Sequence, residues 1–418
     1  MKNLMSTLKL YVLAIGLMFE RFLFGYQAKR GMILGANTLT NLIPSLYESL
    51  DIVSREMVGF IPAVTLDANA ARAAVGQAVY VPITPAATAS DIAPGVNAPN
   101  DGDQTIGNTS IQITKSRAVP FRWNGEEQLG LRSGPGYAAI RNAQMIQAMR
   151  TLVNEIETDL AALHIDASRA YGTPSADPFA STLADPAQIR KILVDNGAPN
   201  ADLQLVINTA AGANLRTLAQ LTKVNEAGDT GLLRQGVLLP LHGLDVRESA
   251  QVATSTIGSV TGTVTGTAAK GATSVTLTTA AGAAVALKAG DVITFAGDTN
   301  QYVVAADCTI GASTSGALTL NAPGLLKAAS SAAPTVVATC SRNMAFHRSA
   351  MILAARAPAL PEEGDSADDR MIVTDPRSGL SFEVSMYRQY RQVRYELALS
   401  WGVKNIKSAH TALLLGKP

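Results

Sequence analysis

Read along the chain, the apolar residues change their spacing several times, and each change marks a predicted element. Over 37–58, Leu39, Leu42, Leu46, Leu50, Val53 and Met57 recur at three- and four-residue steps, which predicts an amphipathic helix. Pro44 suits a first helical turn, and Gly59 and Pro62 end the element. Val75, Val79, Val81 and Ile83 then alternate with small or polar residues, the signature of a half-buried strand. Alternation resumes at Ile111, Ile113, Val119, Phe121 and Trp123. Lys115 and Arg117 fall on the same face as those apolar residues, where a core strand would not put two charges. That suits an arm whose middle leaves the core and meets an acidic neighbour; a simply solvated stretch is the other reading.

Between these two strands, 84–110 is polar and rich in Ala, Pro, Asn and Gly. Its large apolar side chains are Ile92, Val96 and Ile106. Ordering such a segment costs about 1 kcal/mol per residue, roughly 25–30 kcal/mol in all. Burying three such side chains returns about 2 kcal/mol each. The segment cannot order itself, and a partner surface is the reading that gives it a role.

The strongest helical pattern covers 137–170, where Met145, Met149, Leu152, Ile156, Leu160 and Leu163 make one stripe. At the α-helical rise this element would be roughly 50 Å long, a spine shared by several others. From 185 the pattern alternates helix and strand. Asp185-Pro186-Ala187-Gln188 predicts a helix start with Asp185 as cap, and Asn196-Gly197 the end. Leu203 to Ile207 reads as a buried strand, a helix runs through Leu215, Leu218 and Leu221, and 237–239 and 244–246 read as strands. Over 251–340 Ser, Thr, Gly and Ala dominate. Val275/Leu277, Val292/Phe295, Tyr302/Val304 and Leu318/Leu320 mark short strands there, a small barrel or sandwich inserted in the α/β body. In the tail, Leu380 to Met386 and Val393 to Trp401 alternate in opposite parity, which predicts long strands with a bulge or turn near Arg388–Arg391. Glu362, Glu363, Asp365, Asp368 and Asp369 form an acidic stretch, read as a solvated loop or as the partner of Lys115 and Arg117.

The 418 residues allow two or three domains, and 47% hydrophobic against 16% charged residues is a folded composition. A net charge of +1 gives no broad basic field for nucleic acid. Cys308 and Cys340 are read as reduced core thiols, with a disulfide the alternative. At the start, Leu10 to Phe19 is apolar but too short to span a bilayer. We take Met32 as the native start and 1–31 as an upstream or non-native extension; a signal or anchor, or a true N-terminal helix, are the alternatives. Nothing else reads as transmembrane.

Catalytic signatures are absent. His164, His242, His347 and His410 stand apart from one another and from the cysteines, so no metal-ligand spacing occurs. No nucleophile elbow, Walker loop or dinucleotide fingerprint is present. Glu126-Glu127 are adjacent and would point apart on a strand, so they read as solvated. The expectation is no catalytic, cofactor or metal residue, and no enzyme.

The order of elements, together with ANTLTNLIPSLYESLDIVSREMVGFIPAV (36–64), VPFRWNGEEQLGL (119–131), LLRQGVLLPLHGLDVRESAQV (232–252), GDVITFAG (290–297) and SGLSFEVSMYRQYRQVRYELALSWGV (378–403), resembles the major capsid (coat) proteins of tailed double-stranded-DNA phages. Within that group it is most similar to the short-tailed, phage P-twenty-two-like coat proteins, which carry an extra inserted domain. The resemblance implies an α+β tailed-phage capsid (HK-ninety-seven-like) fold with a long spine helix, an extended E-loop and an inserted all-β accessory domain. On this chain it implies an N-arm at 32–69, an E-loop at 70–128, and the spine helix and peripheral domain at 129–184. It further implies an axial α/β domain at 185–250, the inserted β-domain at 251–340, and completion of the axial and peripheral domains at 341–418. The implied function is a virion shell subunit that forms hexamers and pentamers in the host cytoplasm. Its partners would be other copies, a scaffolding protein, a portal and, through weak inner-wall contacts, packaged DNA; no membrane is implied. Contact candidates between subunits are Ile92, Val96, Ile106, Lys115, Arg117, Leu46 and Leu50. An encapsulin-like compartment shell and a secreted β-rich surface protein or adhesin are the alternatives.

Overall fold

The apolar stripe from Met145 to Leu163 folds as the helix Tyr137–Ala162, followed by a 3-10 turn Leu163–Asp166. Met145, Met149, Leu152, Ile156 and Leu160 are fully buried. The helix ends about two turns earlier than the predicted 170, because Arg169–Gly172 is taken up as a strand. The computed structural model describes residues 59–67, 72–83, 89, 91–92, 94, 103, 105–131, 136–222, 236, 238, 240–255, 257–375 and 379–418. The predicted extension 1–31, the predicted helix 37–58 with Leu46 and Leu50, Val96, and most of the predicted strand 237–239 lie outside these residues.

The helix packs on one face of a six-stranded sheet. The sheet's long member is Gln392–Asn405. Its residues 392–398 pair with both Ser381–Gln389 and Lys115–Asn124, so those two strands take opposite edges. Farther along, Met351–Arg356 pairs with 400–405 and carries the short parallel strand Thr65–Asp67. Asp369–Thr374 adds the outer strand beyond Ser381–Gln389. The expected parity change in the tail is a two-residue turn, Tyr390-Arg391: Gln389 pairs directly with Gln392, and Arg391 takes φ +57°.

A second, eight-stranded sheet forms the body. Its centre is Thr411–Gly416 and Ser341–His347, flanked by Leu203–Ile207 on one side and Arg169–Gly172 on the other. All of Leu203–Ile207 and Thr411–Gly416 is buried, as a strand covered on both faces requires. The helices Ala184–Asp195 and Thr209–Thr217 cover it through Ile189, Leu193, Ala211 and Leu215. Asp185 does not cap its own helix; its carboxylate accepts the Phe179 N–H at 2.8 Å. The second helix is capped by Asn208, whose side chain accepts from Ala211 N–H.

Among the described residues of 251–340 the regular elements are all strands. Ser274–Thr279 alternates exposed and buried at every residue, and Val275, Leu277, Ile293, Phe295, Tyr302 and Leu318 make a hydrophobic cluster within this region. The region is also stitched to the body: Gln301 and Tyr302 pair with Ala170 and Arg169, so three of its strands extend the eight-stranded sheet. Cys308 and Cys340 are free and buried, and burial pushes both thiols up. The whole is a mixed helix-and-sheet architecture.

Candidate assembly surface

Ala78–Ile83 and Gly107–Gln112 form a two-stranded hairpin that joins no larger sheet. Two strands alone are marginal in water, so the hairpin depends on its root. The root is well made. Val79 and Val81 face Ile111 and Thr109 across the ladder, and Ile111 and Ile113 are fully buried with Ala73, Ile352 and Ala354. Lys404 Nζ donates to Thr109 Oγ1 and to Ser110 O, both at 2.9 Å. The hairpin crosses the long sheet strand at Gly402, where an added Cβ would sit 2.0 Å from Gln112 O. Only glycine lets the two backbones meet there.

On the hairpin's other face and beyond its paired strands the apolar groups are uncovered. Tyr80 is 70% exposed, Ile106 68% and Ile92 99%, which leaves them as surface rather than core. Tyr80 and Pro82 stand on the hairpin face opposite Val79 and Val81, paired with Ser110 and Asn108.

Lys115 and Arg117 do find acids, but on the helix of their own chain. Lys115 Nζ donates to Asp159 Oδ1 at 2.7 Å, and Arg117 lies 3.6 Å from Glu155. The same Asp159 accepts the indole N–H of the buried Trp401 through Oδ2 at 2.8 Å. The strand runs antiparallel to the helix, so its basic start lies by the helix C-terminal turns and Trp123 reaches Gln144, at 2.7 Å, nearer the other end. Cations by a helix C-terminus are electrostatically favoured. The ladder explains the odd parity: Val119, Phe121 and Trp123 follow on the same face toward the helix's first turns, where Trp123 meets Tyr137 and Gln144, and the charges face its polar C-terminal end. An open groove of 410 Å³ lies here, lined by Lys115, Arg117, Thr151, Asn154, Glu155, Thr158 and Asp159.

The acidic stretch 362–369 is not the partner of these two residues. Asp365 pairs with Arg370 at 2.5 Å and accepts the Tyr387 hydroxyl at 2.8 Å, and Asp368 accepts Arg388 N–H at 2.7 Å. Glu362 and Glu363 are exposed. Nor is the Glu126-Glu127 pair merely solvated. Glu127 accepts the Asn124 N–H at 3.0 Å while the Asn124 side chain accepts Glu127 N–H at 2.7 Å, a capping box that starts the short helix Gly125–Gly130. The Asn-x-x-Glu spacing was readable in the sequence.

One further group was not legible. Glu157, on the long helix, is buried and accepts Phe60 N–H at 3.0 Å, Ile61 N–H at 2.9 Å and the Ser249 hydroxyl at 2.8 Å. A Cβ at Gly59 would fall 2.4 Å from its Oε2. Glu157 thus fixes the point where the chain enters the described fold. Its three donors lie about a hundred residues away in either direction, beyond any local sequence signal. Among the described residues no group of three or more His, Cys, Asp or Glu is placed to hold a metal ion, and no helix is long and apolar enough to cross a membrane.

No family model matches the chain, and neither does any curated protein. Among solved structures it is similar to the capsid of the cyanophage P-SCSP1u, at 11% identity over 86% of this chain and 88% of that one, with a TM-score of 0.44. It is similar to a virus-like particle from Pyrococcus furiosus, at 9% identity over 89% and 99% of the two chains, TM-score 0.41. A protein of Gordonia phage Cozz is similar at 10% identity over 86% of each chain, TM-score 0.41.

Proposed function

We propose that this chain is a structural, non-enzymatic subunit of an icosahedral phage shell, and that the hairpin arm is a contact between copies. The observation that carries this is the contrast within the hairpin: a root sealed on one face by Ile111, Ile113 and Lys404, and an opposite face and outer segment that leave Tyr80, Ile92 and Ile106 in water. Burying three such side chains against a neighbour would return about 1.5–3 kcal/mol each, a contribution that the arm cannot make within its own chain. The family resemblance of the sequence supports the same reading. It adds hexamers and pentamers as the assembling units, a scaffolding protein and a portal as assembly partners, and double-stranded DNA as the enclosed cargo.

The test replaces 84–106 by Asn-Gly. Ile83 and Gly107 are register partners, so a two-residue turn can close the hairpin between them without moving the root. The expected product is a folded chain, with an unchanged melting temperature, that forms no closed shells by negative-stain microscopy when co-expressed with its neighbouring phage genes. Normal shells from this variant would remove the arm from the assembly contact. Failure of the unaltered chain to form shells under the same conditions would remove the shell reading.

A further inference from the structure

The six-stranded sheet has a second face, turned away from the long helix, and one end of it is basic and aromatic. The tail hairpin reads Tyr387-Arg388-Gln389-Tyr390-Arg391-Gln392-Val393-Arg394. The register places Tyr387, Arg394 and Arg122 in one row across three strands. The Arg394 guanidinium lies 5.9 Å from the Tyr387 ring centre. Arg122 stands directly opposite Arg394, and like charges so placed repel. With Pro120, Phe121 and Gln389, these two arginines line a hollow of 260 Å³. At the turn, Tyr390 is 90% exposed and Arg391 is exposed beside it.

Three carboxylates reach this end of the sheet. Glu396 pairs with Arg394 at 2.5 Å, and Asp368 lies 3.8 Å from Arg388. Asp365 is occupied by Arg370 and Tyr387. Arg122 and Arg391 have no acidic partner among the described residues. On this face and at its turn Arg122, Arg391 and Arg394 therefore meet one acid not taken by another arginine, Glu396, in a chain whose overall charge is only +1; Arg388 lies with Asp368 on the helix side, its register partner Val393 standing opposite Trp123.

We propose that this end of the sheet binds the phosphodiester backbone of nucleic acid. A phosphate in the hollow would accept from Arg122 and Arg394 and remove their mutual repulsion. Arg391 meets a second phosphate, and Tyr390 offers a ring on which a base can stack. Arginines that take phosphates suit either form of nucleic acid, and the exposed tyrosine adds a stacking platform for an unpaired base. The proposal deepens the shell reading by naming the surface that touches the enclosed polymer, and it rests on that reading only for the polymer's source.

The test measures binding of the full chain to a labelled duplex and to a single strand of the same length, by fluorescence anisotropy across a salt series. Arg122→Gln with Arg391→Asn is expected to weaken binding about tenfold at low salt. It should also lower the log–log salt slope by about 0.9 per arginine on duplex or about 0.7 on single strand. Asn at 391 suits the left-handed backbone there, and the melting temperature of the variant checks its fold. The single variant Arg391→Asn should show half the change in slope. Lys270→Gln with Lys288→Gln makes the same change of charge in the 251–340 region and should leave binding as it was. A preference for duplex assigns the surface to a packaged genome, and a preference for single strand assigns it to stacking on Tyr390. Equal affinity of the arginine variant and the unaltered chain, or equal competition by polyglutamate, overturns the proposal. Shell formation is scored on the same samples. Nucleic-acid binding without shells would sink the shell reading alone, and shells with no arginine-dependent binding would sink this one alone.

Discussion

The arm hairpin and the 251–340 region are both built of short strands with small, polar sequences, yet they solve the burial problem in opposite ways. In 251–340 strands such as Ser274–Thr279 and Ala284–Leu287 turn alternate residues inward, and Val275, Leu277, Ile293, Phe295 and Leu318 meet one another. The arm turns Val79, Val81 and Ile111 inward at its root and has nothing to set against Tyr80, Ile92 and Ile106. One region carries its own apolar partners; the other must borrow them. The lesson is that strand pattern predicts pairing, but the count of inward apolar residues per ordered residue decides whether a strand pair can stand alone.

The comparison breaks most sharply under core truncation. Leu277→Ala removes a fully buried side chain from the 251–340 cluster and should cost about 2–5 kcal/mol in denaturant unfolding. Ile106→Ala, on the outer arm, should cost nothing measurable in the isolated chain and should act on shell formation alone. A loss of stability from Ile106→Ala as large as that from Leu277→Ala would show that the arm packs within its own subunit.

Acid titration comes next. Burial holds His164 near a pKa of about 4, against 6.5 in an unfolded chain, and the nearby Arg342 adds to the effect. The unfolded state then binds the extra proton between these values, so stability falls as pH drops from about 6.5 toward 4. The full loss is roughly 3 kcal/mol at the acid end. His410 is lowered in the same direction by burial, Lys407 and His347. His164→Gln should flatten the pH dependence of unfolding between pH 6.5 and 4; an unchanged profile would mean that His164 does not drive it. The effect belongs to the body, where His164 bonds Ala161 O and sits beside the 288–291 turn, and should leave the arm untouched.

A smaller effect tests the entry point of the chain. Glu157→Ala leaves Phe60 and Ile61 N–H and the Ser249 hydroxyl without their acceptor. Leaving buried donors unpaired costs about 1–3 kcal/mol. Hydrogen exchange should show the loss as faster exchange at Phe60 and Ile61, with the 251–340 strands unaffected.

What the sequence made legible follows from range. The stripe Met145–Leu160 repeats within four residues, and it is buried along its length. The alternation at Val275 and Leu277 repeats within two, and both residues are core. The capping box of Asn124 and Glu127 is equally local, but its signal lies in the Asn-x-x-Glu spacing and not in the adjacent pair of glutamates. Out of reach were the choices made by tertiary contact. Nothing local tells Tyr302 to pair with Arg169, which joins the 251–340 strands to the body sheet, or tells Lys115 to find Asp159 on a helix 44 residues on.

That last pair supplies the finest test of the comparison, because it lies between the arm and the body. Lys115 is about a third exposed and Arg117 more than half, so solvent screens both bridges. Lys115→Gln and Arg117→Gln should each cost under about 1 kcal/mol. A double-mutant cycle of Lys115→Gln with Asp159→Asn isolates the bridge, since Asn at 159 still offers the Trp401 indole an acceptor. A coupling energy of a few tenths of a kcal/mol, fading with added salt, would place Lys115 among ordinary surface pairs of the subunit. The pattern of the strand suits either an acidic neighbour or solvent for the two charges, and their acids lie in the same chain. If assembly is nonetheless weakened far more than stability by the two Gln substitutions, the groove beside Glu155 and Asp159 is shared with a second copy, and the boundary between borrowed and owned contacts shifts from the hairpin root to the helix. If assembly and stability fall together by the same small amount, the boundary stays at Gly402, where the hairpin crosses the sheet.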